Sequence, residues 1–343
     1  MREGPSNFAP IRRSLLLEGP PEAIPVMELH VDDEVMTAIM GRPVDRKDAL
    51  SLLPFQRKMG YDYINVYSDL RLEFNRAVVT GADAGGLAAE RVFMNEQDGP
   101  VTTEVEFESY PWPDPGTITY GQFAAVRPLL PAGMAMIARC HGPFDWGTWL
   151  MGIQRFCMAL VLERPLVEKI FARVSELILA EVAGMVRQDG VEAVWISDDL
   201  GFNSGPFISP ADLDALVLPT YAAICRMARQ RDLPVILHSC GNLWTILDRL
   251  IACGIHALHS LPPGLYDLAE LKRAVGDRLC LLGNVDVDLL ARGSEDDVRR
   301  AVRYVKGVWA ADPAGGIILS SSNSITNYCR VENYFAMMDE ARK

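Results

Sequence analysis

The segment Leu233–Asn242 reads LPVILHSCGN, and it decides the fold because an apolar run passes directly into a polar cluster. Residues 233–237 are nearly continuous in apolar character, which is typical of a parallel strand buried on both faces. The polar residues of His238–Asn242 follow at once. A strand of this kind predicts an α/β fold in which the chemistry lies at the carboxyl end of the strand.

Seven further apolar runs of similar length are spread along the chain, and helical patterns lie between most of them. In chain order, the eight runs are Ile24–His30, Tyr61–Tyr67, Met134–His141, Glu192–Ser197, Leu233–Cys240, Ile255–Leu261, Arg278–Val285 and Gly315–Ser321. The clearest helical pattern is Pro165–Gln188, where apolar residues recur at steps of three or four. Ser209, Pro210 and Asp212 predict the start of another helix, because they suit its cap, its first turn and its dipole.

Eight strands that alternate with helices predict a closed (β/α)8 TIM barrel. We therefore expect one barrel domain over residues 1–343, a length that is normal for this fold. An open, doubly wound sheet is the competing architecture, and the lack of an early GxGxxG turn disfavours it. The segment Arg91–Ser109 breaks the rhythm, since apolar and polar residues alternate over 101–107 after Asp98 and Gly99. It predicts a β-hairpin inserted between strands two and three.

The composition excludes several classes of function. A net charge of −12 disfavours nucleic acid as a partner, because an acidic surface repels phosphates. No apolar run reaches the length of a membrane span, and Met1–Gly19 has no apolar core typical of a secretory signal. The 7 cysteines are odd in number and scattered, which does not resemble a disulfide framework. We expect a cytoplasmic protein that acts on a small molecule.

In a barrel, the reactive side chains lie where the strands end and the following loops begin. The polar residues at these positions are Glu28, His30, Asp32, Asp198, Asp199, His238, Cys240, Asn242, His259, Asn284, Asp286, Ser320, Ser321, Ser322 and Asn323. A polar set at the ends of apolar strands predicts a pocket. Trp112 is a candidate for a wall of that pocket, although aromatic side chains lie more often in the core.

His238 and Cys240 form the pair with the most specific chemistry. They are two residues apart on one strand, so alternation points both to the same side. Imidazole and thiolate are good zinc ligands, and two of them on one side can share an ion. The alternative is a pocket histidine beside a packed cysteine, because two ligands alone do not make a zinc site.

The remaining candidates each allow a catalytic and a structural interpretation. Asp198 and Asp199 could act as acid or base, hold a substrate, or cap the next turn. Adjacent residues on an extended chain face opposite ways, so we expect only one of them in the pocket. Glu28, His30 and Asp32 share a face of the first strand, where they could form a catalytic rim or a solvated strand end. His259 could orient a substrate or serve as a core histidine.

Several segments carry a resemblance to a known family. They are Ile208–Pro210, Leu237–Asn242, Asp248–Ile255, Leu271–Lys272, Gly276–Leu279, Leu282–Asp286, Ser320–Asn323 and Val331–Tyr334. In this order they resemble the uroporphyrinogen decarboxylase superfamily, over nearly the whole chain and most densely from Asp198 to Asn333. The resemblance implies the (β/α)8 barrel that the strand pattern also predicts.

The decarboxylases of that superfamily hold the carboxylates of a tetrapyrrole with arginines in a motif similar to MRQAGR. The region Pro25–Asp32 reads PVMELHVD here, so acids stand where those arginines are expected. An acidic rim repels an acidic substrate. The charge of this region therefore disfavours uroporphyrinogen decarboxylation, which is a step of porphyrin biosynthesis. Decarboxylation remains an alternative, with Arg12, Arg13 and Arg71 as the early candidates for carboxylate binding.

The methyltransferase branch of the superfamily is more similar to this chain. The resemblance implies that its His-x-Cys pair, here His238 and Cys240, binds zinc (Zn²⁺) together with a later cysteine. That zinc activates a thiol, which takes a methyl group from the corrinoid carried by a partner protein. Asn323 stands at the position of the later cysteine, and a neutral amide is a poor zinc ligand.

The resemblance therefore predicts a methyltransferase that acts between a corrinoid protein and a small acceptor, a thiol or a folate. We expect the third metal ligand to be Asp198, Glu28 or Cys329, in that order, and proton transfer to involve Asp198, Glu28 or His259. The side chains expected to contact substrate are His30, Asp199, Asn242, Asn284, Asp286, Ser322, Asn323 and Trp112. A catalytically silent barrel that binds a ligand or a partner is the third interpretation.

Overall fold

A computed structural model of the chain describes residues 5–82, 88–95 and 97–343. Its centre is a curled parallel sheet of seven strands in the order β1-β4-β5-β8-β9-β10-β11. These strands are β1 (Tyr63–Tyr67), β4 (Ala135–His141), β5 (Val191–Ser197), β8 (Val235–His238), β9 (Ala257–His259), β10 (Cys280–Val285) and β11 (Ile317–Ser321). Two antiparallel pairs lie outside it, β2 (Arg76–Ala82) with β3 (Ala88–Met94) and β6 (Gly201–Phe202) with β7 (Gly205–Pro206).

The helices of the described chain lie between and around these strands. They are α1 (Ala9–Leu15), α2 (Asp33–Met40), α3 (Ala49–Met59), α4 (Glu104–Ser109), α5 (Gly121–Val126), α6 (Pro143–Met151), α7 (Ile153–Leu162), α8 (Arg164–Met185), α9 (Pro210–Leu216), α10 (Leu218–Arg229), α11 (Leu247–Cys253), α12 (Leu268–Val275), α13 (Val287–Arg292), α14 (Glu295–Ala310) and α15 (Val331–Ala341). Short 3-10 turns cover Pro115–Thr117, Arg127–Leu129 and Trp244–Ile246. Within the described ranges, no helix has the length and apolar character needed to cross a membrane.

The predicted α/β architecture is confirmed as a TIM-like fold, and seven of the eight predicted strands form its sheet. The run Ile24–His30, predicted as the first strand, is irregular instead. It touches β11 through an isolated bridge between Val26 and Leu319. On its other side, the side chain of Asn65 donates to the carbonyl of Leu29 at 2.8 Å. Side-chain hydrogen bonds thus replace part of the backbone ladder where this segment lies between β1 and β11.

The hairpin predicted over Arg91–Ser109 is not confirmed at those residues. The antiparallel pair between β1 and β4 is formed by β2 and β3, whose residues Arg76 and Met94 are partners in register. Most of the predicted segment lies beyond that pair, and its alternating part runs into α4. The hydroxyl of Thr103 caps this helix by accepting a hydrogen bond from the amide of Glu106 at 3.2 Å. A good helix cap therefore outweighs the alternation of apolar residues at this place.

The predicted helix starts agree with the structure where the capping signals are clear. The helix predicted over Pro165–Gln188 is α8, which has ten buried residues along one face. The hydroxyl of Ser209 caps α9 by accepting from the amide of Asp212 at 3.1 Å. Of these two helices, α8 packs against β4 of the sheet, and α9 packs against α8 and α10.

Candidate active site

The register of the sheet brings the polar strand ends together. His141 of β4 lies opposite Ser197 of β5. Ser197 in turn lies opposite His238 of β8, and His238 lies opposite His259 of β9. Neighbouring positions in register point to the same face of a parallel sheet. Four polar side chains thus lie in one layer at the carboxyl edge, where active sites of this architecture are found.

Asp199, His238 and Cys240 form the one group in the described chain with the composition and spacing of a metal centre. Their ligand atoms all lie within 4.8 Å of one another. His238 Nε2 is 3.6 Å from Asp199 Oδ1 and 3.7 Å from Cys240 Sγ. Bond lengths of about 2.0–2.3 Å to tetrahedral zinc place its ligand atoms about 3.3–3.8 Å apart. The three side chains therefore fit a zinc ion in both chemistry and spacing.

The hydrogen bonds of His259 fix the proton positions on His238. His259 Nε2 lies 3.2 Å from the carbonyl oxygen of Ser321, which only accepts, so Nε2 carries the proton. Burial and the neighbouring His238 lower the pKa of His259 well below its usual value, so the ring is neutral and its Nδ1 is an acceptor. His238 Nδ1, 2.7 Å away, must then donate. The lone pair of His238 Nε2 is left facing Asp199 and Cys240.

A series of hydrogen bonds connects His259 with the carboxyl group of Glu28. His259 Nε2 is 3.1 Å from Ser320 Oγ, and that hydroxyl donates to Glu28 Oε2 at 3.3 Å. Ser321 donates to the same carboxyl from its amide at 2.8 Å and from its hydroxyl at 2.6 Å. We call the series Glu28, Ser320, His259, His238 the Glu28–His238 relay. It connects the irregular first segment with the candidate metal ligands through buried side chains.

Glu28 is buried, and burial raises its pKa to about 8, although hydrogen bonds from Ser321 and Ser320 act in the opposite direction. A carboxyl group with such a pKa changes its protonation near neutral pH. Its position at the end of the relay therefore gives the site an acid–base group that does not touch the candidate metal ligands directly.

Asp198 lies on the other side of the strand end from Asp199, as alternation predicts. Its carboxyl group is fully buried and accepts hydrogen bonds from the hydroxyl of Tyr221 at 2.6 Å and from the amides of Asp145 and Phe144 at 2.6 and 3.2 Å. Burial, together with the charge of Asp145, raises its pKa well above the usual range. These bonds hold the start of α6 against β5.

Asn323 contacts the candidate centre as a donor. Its Nδ2 lies 3.3 Å from Cys240 Sγ, which favours the thiolate form of that cysteine. Burial is the larger effect and raises the pKa of the Cys240 thiol. Cys329, the other candidate ligand, is buried beside Thr326, whose hydroxyl is 3.4 Å from its sulfur. The geometry thus brings Asp199 to His238 and Cys240, rather than the three residues expected from sequence.

His30 and Asp32 lie at the rim of the first segment. His30 Nε2 is 3.6 Å from Asp32 Oδ1, and Arg46 donates to the same oxygen at 2.8 Å. Burial and then the charge of Arg46 lower the pKa of His30. His30 is therefore a neutral side chain, and it lines a small cavity together with Glu28 and Arg46.

The other expected substrate contacts make local hydrogen bonds. Asn242 accepts from the backbone amide two residues ahead, and Asp286 caps α13. Ser322 accepts from the first amide of α13, and Asn284 donates to a backbone carbonyl at 3.4 Å. Trp112 packs in the segment between β3 and β4, where its indole nitrogen donates to the carbonyl of Phe107. A role of these side chains in substrate binding stays a prediction.

Sequence reasoning missed Arg139. It lies in the middle of β4, is only 4% exposed, and its Nη2 donates to Ser197 Oγ at 2.7 Å. The signal was available, because a guanidinium inside the apolar run Met134–His141 is costly to bury without a purpose.

The carboxyl edge of the curled sheet therefore carries a candidate metal centre of Asp199, His238 and Cys240. The sequence model of the family described as uroporphyrinogen decarboxylase (URO-D) matches residues 51–343, and the chain belongs to that family. A methyltransferase from Methanosarcina mazei has a similar structure, with a TM-score of 0.68, 17% sequence identity and coverage of 97% of this chain and 98% of that chain. At this identity the likeness shows the fold alone.

A B12-independent methionine synthase from Shewanella sp. W3-18-1 is a weaker match. Its TM-score is 0.45 at 13% sequence identity, with coverage of 94% of this chain and 96% of that chain. A likeness at this level carries no argument about function. No curated protein sequence matches the chain.

Proposed function

We propose that the protein transfers a methyl group from a corrinoid protein to a small thiol acceptor, with a zinc ion held by Asp199, His238 and Cys240. The observation that carries the proposal is the presence of three zinc-type ligand atoms within 4.8 Å of one another at the polar edge of the barrel. Membership of the uroporphyrinogen decarboxylase family and the fold shared with a methyltransferase support it. A folate is the second choice of acceptor.

Asp199 takes the role of the third ligand in this proposal. When bound there, zinc supplies the positive charge that lowers the pKa of a thiol in its coordination sphere. Cys240 and Asp199 both contribute negative charge, which a neutral Asn323 does not. The side chain of Asp199 is 46% exposed, so its carboxylate also connects the centre with solvent and provides the exit for the thiol proton.

The Glu28–His238 relay orients His238. The relay keeps the proton on Nδ1 and leaves the Nε2 lone pair for the metal, as carboxylates and backbone carbonyls do behind many metal-binding histidines. Ionised Glu28 pulls on the hydrogen bonds of the relay and makes His238 a more basic ligand. Asp198, whose hydrogen bonds are all made within the protein, keeps the α6 loop in place.

The test is methyl transfer from methylcobalamin, which stands in for the corrinoid protein, to a panel of small thiols and to tetrahydrofolate. We expect zinc-dependent transfer to a thiol, and a loss of about a hundredfold or more in Cys240→Ser and in Asp199→Asn. Cys157→Ser, at an exposed cysteine on α7, is the matched control and should keep full activity. Equal activity in the absence of zinc, or in both site variants, would contradict the proposal.

A further inference from the structure

A small cavity lies beside the side chain of Glu28. Its polar lining includes Glu28 and His30 of the irregular first segment and Tyr63 and Asn65 of β1, and its volume is about 20 Å³. A polar cavity holds a water molecule once its volume exceeds about 10–15 Å³. This cavity is therefore large enough for one water molecule, and it is too small for an organic substrate.

Asn65 presents an unused acceptor to this cavity. Its side chain is 5% exposed, and its Nδ2 donates to the carbonyl of Leu29 at 2.8 Å. That carbonyl only accepts, so it fixes the orientation of the amide and leaves Oδ1 as the atom without a partner. Oδ1 is buried and accepts no hydrogen bond from any residue that the structure describes. A buried amide oxygen without a donor is unfavourable, so this side chain needs a donor from the cavity.

The carboxyl group of Glu28 is surrounded by donors. The amide and hydroxyl of Ser321 and the hydroxyl of Ser320 all donate to it. Burial raises the pKa of Glu28 to about 8, so the group carries its own proton at neutral pH, and this O–H must donate in turn. The hydroxyl of Tyr63 is already used, because it accepts from the amide of Glu28 at 2.6 Å and donates to its carbonyl at 2.7 Å. Glu28 thus offers a donor, and Asn65 an acceptor, to the same cavity.

The Glu28–His238 relay gives this proton no direct way to solvent. The Nε2 proton of His259 points to the carbonyl of Ser321, and His259 Nδ1 accepts from His238 Nδ1. A proton that left Glu28 in that direction would have to reverse both hydrogen bonds. The cavity is also lined by His30, whose side chain is 29% exposed. It therefore joins the buried carboxyl group to a partly exposed histidine without involving the candidate metal ligands.

We propose that the cavity binds one water molecule, which accepts a hydrogen bond from the Glu28 carboxyl group and donates one to Asn65 Oδ1, and that Glu28 exchanges its proton with solvent through this water. The water takes the proton from the carboxyl oxygen and gives up one of its own on the side of His30. The water is thereby restored, Glu28 is left as a carboxylate, and the proton passes to solvent. The water site requires neither zinc nor methyl transfer, and it supplies the relay with protons that do not pass the metal-type ligands.

A crystal structure of the wild-type protein, at a resolution that shows ordered water, tests the binding site without any variant. We expect one water molecule within about 2.5–3.2 Å of both Asn65 Oδ1 and a carboxyl oxygen of Glu28. An empty cavity, or a water molecule that contacts only one of these two groups, overturns the site.

Infrared spectroscopy tests the exchange route. The carbonyl stretch of protonated Glu28 is the band that disappears in Glu28→Gln, and its shift after mixing with D2O measures how fast the proton exchanges. We expect this shift to be at least about ten times slower in Asn65→Leu than in the wild type, because leucine removes the acceptor that holds the water. Asn327→Leu is the matched control, since Asn327 Oδ1 is also buried without a hydrogen bond but does not line the cavity.

The comparison of these variants decides the route. Equal exchange rates in the wild type and Asn65→Leu, or an equal slowing in Asn327→Leu, overturn it. Should Asn65→Leu not fold, Val31→Leu takes its place, because Val31 lines the cavity and one added methylene fills the volume of a single water. The same slowing is expected in Val31→Leu, and an unchanged rate there overturns the route. Neither result depends on whether methyl transfer is found.

Discussion

His238 Nδ1 and His259 Nδ1 lie 2.7 Å apart, and this contact decides which nitrogen of His238 is free to bind a metal. His259 accepts through Nδ1 because its Nε2 donates to the carbonyl of Ser321. The direction of the hydrogen bond between the two histidines therefore leaves Nε2 of His238 as the nitrogen that can bind a metal.

His259→Phe should lower the affinity for zinc by about ten- to a hundredfold, because His238 loses the partner that holds its proton on Nδ1. The measurement is a competition titration with a chromophoric chelator. His256→Gln is the control, since His256 accepts a hydrogen bond from the amide of Val235 and does not belong to the relay. Equal zinc affinity in wild type and His259→Phe would show that the contact does not orient His238.

Glu28→Gln should change the pH dependence of stability. The folded-state pKa of Glu28 is raised to about 8 from 4.5, mainly by burial, so the folded protein holds this proton more tightly than the unfolded chain does. Wild-type stability therefore falls as pH rises from about 4.5 to about 8, by at most about 1.4 kcal/mol per pH unit from this group.

Glutamine mimics the protonated acid and does not titrate. The free energy of unfolding of Glu28→Gln, measured in urea, should therefore increase relative to wild type across that pH window and level off above it. A difference between the two proteins that is constant from pH 5 to pH 8 would contradict the raised pKa.

Gly142→Ala should destabilise the protein by about 1–3 kcal/mol. A Cβ at this position would collide with the carboxyl group of Asp198, which is held by the hydroxyl of Tyr221 and two amides. Gly307→Ala is the matched control, because nothing lies within 4 Å of a Cβ there and the residue is inside α14. Urea unfolding should show the control to be about 0.5–1 kcal/mol more stable than wild type. A Gly142→Ala protein as stable as wild type would refute the packing argument.

Asn323→Cys should raise the affinity for zinc by at least about tenfold, because a thiolate replaces a neutral amide whose nitrogen is 3.3 Å from Cys240 Sγ. The comparison is made under reducing conditions, which keep both thiols free, with Asn242→Cys as the control. Asn242 follows β8, the strand that carries His238, but its side chain accepts a hydrogen bond from the backbone amide of Trp244. No gain in Asn323→Cys would place residue 323 outside the coordination sphere.

Much of the fold is encoded locally. Continuous apolar runs predict the seven sheet strands, because parallel strands are buried on both faces. The irregular segment Ile24–His30 could not be distinguished from a strand by pattern, since Tyr63 and Asn65, which hold it, lie far along the chain. The hairpin was misplaced because alternation of apolar residues does not reveal that the hydroxyl of Thr103 caps a helix.

The candidate site is only partly visible in the sequence. His238 and Cys240 could be paired, because alternation on one strand places them on the same side. The choice of Asp199 over Asp198 depends on which of these two alternating side chains points toward His238, and this is a property of the three-dimensional structure. The Glu28–His238 relay depends on contacts across 292 positions of the chain, which no local pattern contains.

X-ray absorption at the zinc edge of the zinc-loaded protein tests the central claim, a zinc ion held by Asp199, His238 and Cys240, most directly. We predict one zinc per chain with one sulfur at about 2.3 Å and nitrogen or oxygen ligands at about 2.0–2.2 Å. The sulfur should disappear in Cys240→Ser and remain in Cys329→Ser. A protein that takes up no zinc, or a zinc ion with no sulfur ligand or with two, would contradict the claim.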